Sequence, residues 1–233
     1  MCCGRSGVNT YLTQVWAILR KDLVLEIRSR ERIGAMCAFA VLTGVLFNFS
    51  IDTTTVRPNE VATGLIWMTL IFGGLLGVGR TFHLESQDGA LQGILMSPAP
   101  KDAIFLGKLI ANFVLLYVVS LLVLGVFGLF FGIDLDRNLG WVVFVLGIGS
   151  LGFVAVGTLF AAVAAGTHLR ETLLPVLVFP LMVPMVIYGV GAMTPLVSGR
   201  PFTEVEGNVR MLGAFALAAV AAGAVLFRYV VED

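Results

Sequence analysis

The sequence predicts an all-α membrane protein with six transmembrane helices, preceded by an amphipathic helix. Of its 233 residues, 58% are hydrophobic and 13% are charged, whereas a soluble domain has about 25% charged residues. Six segments approach or exceed the roughly 20 apolar residues that a helix needs to cross a bilayer. They are residues 33–50, 61–79, 103–132, 141–165, 173–192 and 211–227. These observations exclude a water-soluble fold and assign residues 33–233 to one membrane domain.

Residues 1–32 are expected to be a cytoplasmic segment that contains the amphipathic helix. Its apolar residues recur at spacings of three and four: Leu12, Val15, Trp16, Leu19, Leu23 and Ile27. This spacing is typical of one helix face. Because basic residues occupy other faces, the helix fits the inner membrane interface, with its cations toward anionic headgroups. A helix packed on the rest of the protein is the alternative.

The placement of Lys and Arg predicts the orientation in the membrane. Eleven basic residues lie in segments on one side: Arg5, Arg20, Lys21, Arg28, Arg30, Arg32, Arg80, Lys101, Lys108, Arg170 and Arg228. Four lie on the other side: Arg57, Arg137, Arg200 and Arg210. Since basic residues accumulate in cytoplasmic loops, both termini are expected in the cytoplasm and the fifth loop, 193–210, outside. Lys108 is expected to extend its ammonium group to the cytoplasmic interface.

Residues 80–102 are the most informative polar segment. Three leucines fall on one helical face: Leu84, Leu91 and Leu95. Four polar residues fall on other faces: Glu85, Gln87, Asp88 and Gln92. Gly89 after Asp88 permits a bend between two short helices, and Pro98 and Pro100 stop helix propagation. The segment is expected to be ordered, amphipathic and cytoplasmic, either as a docking element or as an interfacial helix without a partner.

The fifth apolar segment contains three prolines, Pro175, Pro180 and Pro184, followed by Gly189. Each interior proline leaves a backbone carbonyl that neighbouring helices or water must satisfy, so a kinked helix inside a bundle is expected. Such kinks are equally consistent with a helix that moves as a gate and with a helix that is only packed in the bundle. Two further glycine pairs, Gly73 with Gly77 and Gly128 with Gly132, have the spacing that lets helices approach closely. Such contacts are expected within the molecule, with a dimer contact as the alternative.

The sequence offers no catalytic, cofactor or metal site. The phosphate-loop pattern G-x-x-x-x-G-K-[ST] is absent, so any ATP that drives this protein must bind another chain. The centres of the six apolar segments carry no ionisable residue, whereas proton-coupled and ion-coupled carriers place such residues there. His83 and His168 lie far apart in the sequence. The cysteines, Cys2, Cys3 and Cys37, form neither a disulfide framework nor a zinc-ligand pattern.

The polar segment carries a family resemblance. It resembles the F-x-x-D-x-E-D-G-x-L-x-x-L-x-x-S-P pattern, with a following lysine, of CcmB-type permeases, the haem exporter protein B family. The matching residues are Phe82, Asp88, Gly89, Leu91, Leu95, Ser97, Pro98 and Lys108. Further similarity lies at residues 26–28, 46–49, 64–67 and 175–189. The sequence departs from the pattern at Glu85, at Ser86 with Gln87 and at Phe113.

The resemblance implies an ABC-2-like exporter permease without ATPase activity, in the bacterial inner membrane. Its expected partners are a second copy, a CcmA-type ATP-binding subunit, CcmC-type and CcmD-type membrane subunits and a CcmE-type haem chaperone, but no nucleic acid. The complex would handle haem and the ATP-binding subunit would hold ATP-Mg, and no residue of this chain is assigned to bind either one. The expected coupling residues are Phe82, Leu84, Glu85, Asp88, Gly89, Leu91, Leu95, Ser97 and Pro98. The alternatives are a permease for a drug, lipid or polysaccharide, and an assembly scaffold that transports nothing.

Overall fold

Seven α-helices and one 3-10 turn make up the described part of the protein. A computed structural model describes residues 4–51, 58–79, 100–132, 138–165 and 170–230. The helices are α1 (Gly4–Ser29), α2 (Glu31–Ser50), α3 (Pro58–Gly79), α4 (Lys101–Phe131), α5 (Leu139–Ala165), α6 (Arg170–Val197) and α7 (Glu206–Val230), with the 3-10 turn at Phe202–Glu204. Helices α2 to α7 are each long and apolar enough to cross a membrane. The chain is a multi-pass membrane protein, and the predicted fold class is confirmed.

Helices α3 and α5 form the centre of the bundle. In the apolar part of α5 67% of the residues are buried, and in α3 61%, against 22% to 33% in the other four spans. The sequence of α5 explains its position, because apolar and small residues occupy every side of this helix and such a helix is buried on every side. The outer helices present apolar side chains on the outside of the bundle, as lipid contact requires.

Glycines on α5 set the distances between the central helices. At Gly147 an added Cβ would lie 3.3 Å from the ring of Tyr117 on α4, and at Gly157 it would lie 3.2 Å from Val78 on α3. At Gly152 it would lie 3.3 Å from the ring of Phe215 on α7. Small residues let helix backbones approach closely where lipid gives no hydrophobic driving force for association. The glycines of α5 therefore allow three different helices to pack on it.

Uncharged hydrogen bonds join the spans. The Asn112 side-chain amide donates to the Thr158 hydroxyl at 3.2 Å, which links α4 to α5. About two turns further along the same two helices, the hydroxyls of Ser120 and Ser150 lie 3.3 Å apart. Asn48 of α2 donates to the Phe130 carbonyl of α4 at 2.9 Å. These bonds satisfy polar side chains inside an apolar bundle and add specificity to the helix pairing.

The connection after the fifth span is shorter than predicted. The expectation of a loop over residues 193–210 is wrong at both ends, since α6 continues to Val197 and α7 begins at Glu206. Met193 and Leu196 are buried in the core, and this burial favours helix continuation past Pro195. The helix tolerates Pro195 because a proline removes only one hydrogen bond, here to the carbonyl four residues earlier. The loop is therefore confined to residues 198–205.

Asn138 ties two connections together at this end of the bundle. Its amide nitrogen donates to the carbonyls of Leu196 and Arg200, each at 2.9 Å. Beside it the ring of Trp141 stacks on Phe202, with the centroids 3.8 Å apart and the planes inclined by 17°. The start of α5, the end of α6 and the 3-10 turn are thereby held in one arrangement.

The two glycine pairs have different roles. An added Cβ at Gly77 would lie 2.8 Å from the sulfur of Met36, so Gly77 serves a close contact between α2 and α3 within the molecule. An added Cβ at Gly73 would meet no atom within 4 Å. Gly132 has φ +61° and ends α4. Glycine is favoured there because L side chains resist the left-handed conformation, so Gly132 is a helix cap and not a packing residue.

We expect Asn138→Ala to lower the free energy of unfolding by about 1–3 kcal/mol, because it leaves two carbonyls without their donor. Thermal unfolding of the purified protein in nanodiscs measures the change. The control is Arg210→Ala, which breaks an exposed ion pair with Glu206 at 2.6 Å and should change stability by less than about 1 kcal/mol. Equal unfolding temperatures for the two variants would contradict the role assigned to Asn138.

Candidate functional site

The predicted coupling residues lie outside the described residues. They are Phe82, Leu84, Glu85, Asp88, Gly89, Leu91, Leu95, Ser97 and Pro98, and their role stays a prediction. The structure does describe both attachment points of this segment, where α3 ends at Gly79 and α4 begins at Lys101 after Pro100. We call this side of the bundle the loop end.

Helix α1 packs on α4 at the loop end. The contact is centred on Gly107, where an added Cβ would lie 2.9 Å from the Cβ of Ile18 and 3.2 Å from the Val15 carbonyl oxygen. Val15 and Leu19 are buried, and Ile18 is partly buried against the core. Glycine at position 107 thus allows the backbones of α1 and α4 to approach directly.

A buried ion pair lies beside this contact. The Lys108 ammonium is 3.5 Å from a carboxylate oxygen of Asp22, with the two side chains 1% and 10% exposed. Lys21 lies 3.2 Å from the other oxygen of Asp22. The expectation that Lys108 extends to the interface is wrong. Its charge is instead enclosed by protein and compensated by a carboxylate from α1, because a buried charge without a partner is strongly unfavourable.

Glu26 forms the junction between α1 and α2. Its side chain is buried, and its carboxylate accepts the backbone N–H of Ile33 at 3.1 Å. This bond satisfies one of the free N–H groups in the first turn of α2. Between the two helices Arg30 adopts φ 55°, a left-handed conformation that is uncommon for a residue with a side chain. The chain therefore turns at one residue, and Glu26 fixes the turn from the preceding helix.

Among the described residues, Asp22, Glu26 and Lys108 are the buried charged side chains, and all three lie at the junction of α1 with α2 and α4. The sequence reasoning missed this cluster. Asp22 and Glu26 are four residues apart on the same face of α1 as Val15 and Leu19, so two carboxylates occupy a packed face. A lysine inside an apolar segment needs such a partner when its ammonium group does not reach water. Together these two signals could have identified the cluster.

A further contact joins the start of α1 to the start of α4. The Tyr11 hydroxyl donates a hydrogen bond to the Asp102 carboxylate. Partial burial raises the pKa of Tyr11, and the negative charge and hydrogen bond of Asp102 raise it further. Tyr11 therefore keeps its proton over the physiological pH range and remains a donor.

One part of the apolar face of α1 packs against α4, and the other part is exposed on the outside of the protein. Val15 and Leu19 pack on α4, whereas Leu12, Trp16 and Ile27 are 58%, 64% and 65% exposed. Packing on the rest of the protein therefore applies to one part of the face, and the interfacial location of the other part stays a prediction. The exposed part, next to the exposed Arg20 and Arg28, retains the composition of an interfacial helix.

The structure does not bring the four residues of the predicted gating or packing helix together. They lie on α6, which continues as a helix through the prolines. Pro180 and Pro184 are exposed on the outside of the bundle, Pro175 is half-buried, and Gly189 is buried facing the core. A gating role for the prolines stays a prediction.

Gly189 packs against Trp67 of α3. An added Cβ at Gly189, or at Gly149 of α5, would overlap the Trp67 ring. The ring is fully buried between these two glycines, and its indole N–H has no hydrogen-bond partner. The hydroxyl of Thr69 on the same helix is also buried without a partner. Gly189 is therefore needed to admit a large side chain at the centre of the bundle.

The described residues contain no group of three or more potential metal ligands. Cys37 on α2 is a free thiol, and Cys2, Cys3, His83 and His168 lie outside the described residues. A cavity of about 10 Å³ between α2, α3 and α4 is lined by Met36, Gly77 and Asn112 among others. This volume is about that of a single water site.

The family model described as CcmB protein matches residues 13–231. The chain belongs to the CcmB family. Among curated relatives, Heme exporter protein B of Paracoccus denitrificans is 29% identical over 212 residues, which cover 90% of this chain and 97% of the relative. Heme exporter protein B of Shigella flexneri is 30% identical over 201 residues, which cover 85% and 89%. That of Rhodobacter capsulatus is 28% identical over 173 residues, which cover 74% and 79%.

The matched region of this CcmB-family chain includes α1 from Thr13 onward and all six spans. Both the charged cluster at the loop end and the Trp67 contact lie inside it. The resemblance noted in the polar segment is thereby confirmed at the level of the family.

We expect Gly189→Ala to lower the free energy of unfolding by about 1–3 kcal/mol, because the new methyl group would overlap the Trp67 ring. Thermal unfolding in nanodiscs measures the loss, and a change in Trp67 fluorescence, in a background with Trp16 and Trp141 replaced by Phe, locates it. The matched control is Gly64→Ala on α3, where an added Cβ meets no atom within 4 Å. Equal stability of the two variants would contradict close packing at Gly189.

Proposed function

We propose that this chain is the membrane permease subunit of an ABC transporter-like complex for cytochrome c maturation. It would couple ATP hydrolysis by a separate subunit to haem delivery or to release of a haem-loaded chaperone. The observation that carries the proposal is the family match over residues 13–231, together with curated relatives named Heme exporter protein B that align with 74% to 90% of the chain.

The distribution of charge supports mechanical coupling over ion-driven transport. Proton relays and ion-coupled carriers place ionisable groups within the bilayer. In the described part of the chain the buried charged side chains, Asp22, Glu26 and Lys108, lie at the loop end and are compensated there by ion pairing or backbone hydrogen bonding. Movement of the bundle would then be driven from its loop end by another subunit.

The element that receives this movement is proposed to be the coupling loop predicted at residues 80–102. Because its last two residues belong to α4, the loop itself is segment 80–99 followed by Pro100. Leu84, Leu91 and Leu95 would occupy a groove of the ATP-binding subunit, and Glu85 and Asp88 would contact its polar rim. Because a motor shifts a conformational equilibrium only through different interactions with the two states, this segment must contact the ATP-binding subunit differently before and after hydrolysis.

The proposed assembly contains a CcmA-type ATP-binding subunit, CcmC-type and CcmD-type membrane subunits, a CcmE-type chaperone and a second copy of this chain. ATP-Mg would be held by the ATP-binding subunit, and haem would be handled by the complex. The proposed location is the bacterial inner membrane with both termini cytoplasmic, which is supported by the eleven Lys and Arg residues on one side against four on the other.

We expect the double variant Leu91→Asp with Leu95→Asp to insert normally but to lose co-purification with the ATP-binding subunit at least tenfold. The two carboxylates would have to be desolvated in an apolar groove. The matched control is Ser86→Asp with Ala90→Asp, which adds the same charge to the opposite helical face of the segment and should retain the partner. Mass spectrometry of mild-detergent pull-downs gives the readout.

Normal co-purification of the leucine variant would contradict the coupling role of this segment. Recovery of drug-resistance or glycan-export proteins in place of cytochrome maturation proteins would instead favour an ABC-2 permease with a different cargo.

The orientation predicts the behaviour of reporter fusions. Alkaline phosphatase, which is active only outside the cytoplasm, should be inactive when fused after Asp233 and active when inserted at Gly199 in the connection between α6 and α7. Green fluorescent protein at the same two positions should give the opposite pattern, because an even number of spans returns the chain to its starting side. Active phosphatase at Asp233 would reverse the proposed orientation.

A further inference from the structure

We propose that α1 is a rigid strut that joins the loop end of α4 to the start of α2, with Asp22, Lys108 and Glu26 as its positioning residues. Through this strut a displacement of segment 80–99 would move the first and third spans, α2 and α4, together. The inference rests on the proposed function for the source of the displacement, but the strut itself is a property of this chain.

The joint between α1 and α4 has three contacts spread along α1. The first is the interaction of Tyr11 with Asp102 in the first turn of α4. The second is the close approach of Ile18 and the Val15 carbonyl to Gly107. The third is the buried ion pair of Asp22 with Lys108 at 3.5 Å. Three contacts at different points along one helix hold its direction as well as its position.

The joint between α1 and α2 leaves little freedom at the turn. A single residue, Arg30, separates the two helices. Backbone bonds run across it, from the Arg30 N–H to the Glu26 carbonyl at 2.8 Å and from the Gly34 N–H to the Arg30 carbonyl at 2.9 Å. The Glu26 carboxylate adds the bond to the Ile33 N–H at 3.1 Å. Both helix ends are thus bonded to the turn, so α2 follows the direction of α1.

Charge makes the strut resistant to sliding. A shift of α1 along α4 that separates Asp22 from Lys108 loses the attraction between two opposite charges at a buried position, which is unfavourable. Apolar contacts alone would tolerate small shifts because they have no preferred direction. The buried pair therefore favours transmission of a displacement over its absorption at the joint.

Both ends of the strut are placed to receive and pass on movement. Pro100 directly precedes α4, and Lys108 lies two turns into that helix, so a pull on segment 80–99 acts close to the ion pair. At the other end α2 packs on the central helix α3, with Met36 against Gly77. Movement of α2 therefore reaches the centre of the bundle.

The strut can be tested in the isolated protein by the distance between two spin labels. The labels replace the exposed Trp16 on α1 and the exposed Val118 on α4, in a background with Cys2, Cys3 and Cys37 changed to Ser. In nanodiscs we expect one narrow distance distribution. Lys108→Met should broaden it at least twofold, and the charge exchange Asp22→Lys with Lys108→Asp should restore it. Arg210→Met, which breaks an exposed ion pair on α7, is the control without effect.

A narrow distribution in Lys108→Met would overturn the strut. Where Lys108→Met fails to insert, the uncharged pair Asp22→Asn with Lys108→Gln replaces it, because this pair removes both charges of the ion pair together. The same broadening is expected there, and an unchanged width would count against the proposal in the same way.

The coupling role is tested in the assembled complex with the ATP-binding subunit. Lys108→Met should keep ATP hydrolysis per complex within twofold of wild type but reduce ATP-dependent release of the haem chaperone at least tenfold, with rescue by the charge exchange. A merely structural role would lower both activities in the same proportion. The distance between the Trp16 and Val118 labels should stay constant when ATP is added to wild type, since α1 and α4 move as one body.

Wild-type rates of chaperone release in Lys108→Met, or a change in the label distance on addition of ATP, would overturn the coupling role. A wild-type complex that binds no ATP-binding subunit would refute the proposed function. In that case the label distances in the isolated protein still decide whether α1 is a rigid strut.

Discussion

Close approach of helices at glycine is the constraint on which the bundle depends. Apolar side chains are as stable in contact with lipid as in contact with protein. The spans therefore associate through close packing and a few hydrogen bonds, without a hydrophobic driving force. Helix α5 meets this requirement with glycines that face α3, α4 and α7. Trp67 shows how tight the arrangement is, because its ring is enclosed between Gly149 and Gly189. The positions of the outer helices follow from these contacts.

The charged side chains and the uncharged packing contacts lie in different parts of the bundle. The centre of the bundle is held by uncharged contacts such as Asn112 with Thr158, whereas Asp22, Glu26 and Lys108 are concentrated at the loop end. The middle of such a bundle is held by compact apolar packing. Directional electrostatic contacts lie at the loop end, where a partner is proposed to act. This separation fits a permease that is moved by another subunit more closely than a carrier that titrates its own side chains.

Much of the fold and the family could be predicted from the sequence, but less of the candidate site. Apolar segments of sufficient length identified six spans because the bilayer sets their length. The end of the fifth span was misjudged, since the burial of Met193 and Leu196 depends on neighbours that are distant in sequence. The partner of Lys108 was missed for a similar reason. Asp22 lies 86 positions away, and only helix packing brings the two charges together.

The sequence by itself determined the membrane class, the helical content, the family resemblance and the amphipathic character of α1. The membrane class, the helical content and the amphipathic character follow from local composition and periodicity, because the bilayer sets the length and polarity of its spans. The family resemblance rests on the matched residues of the polar segment. Tertiary structure alone decided that α1 packs on α4 through Val15 and Leu19, that Glu26 fixes the turn into α2, and that Gly189 receives Trp67. Each of these is a contact between helices. Its geometry depends on the packing of complete helix surfaces, whose residues are far apart in the sequence.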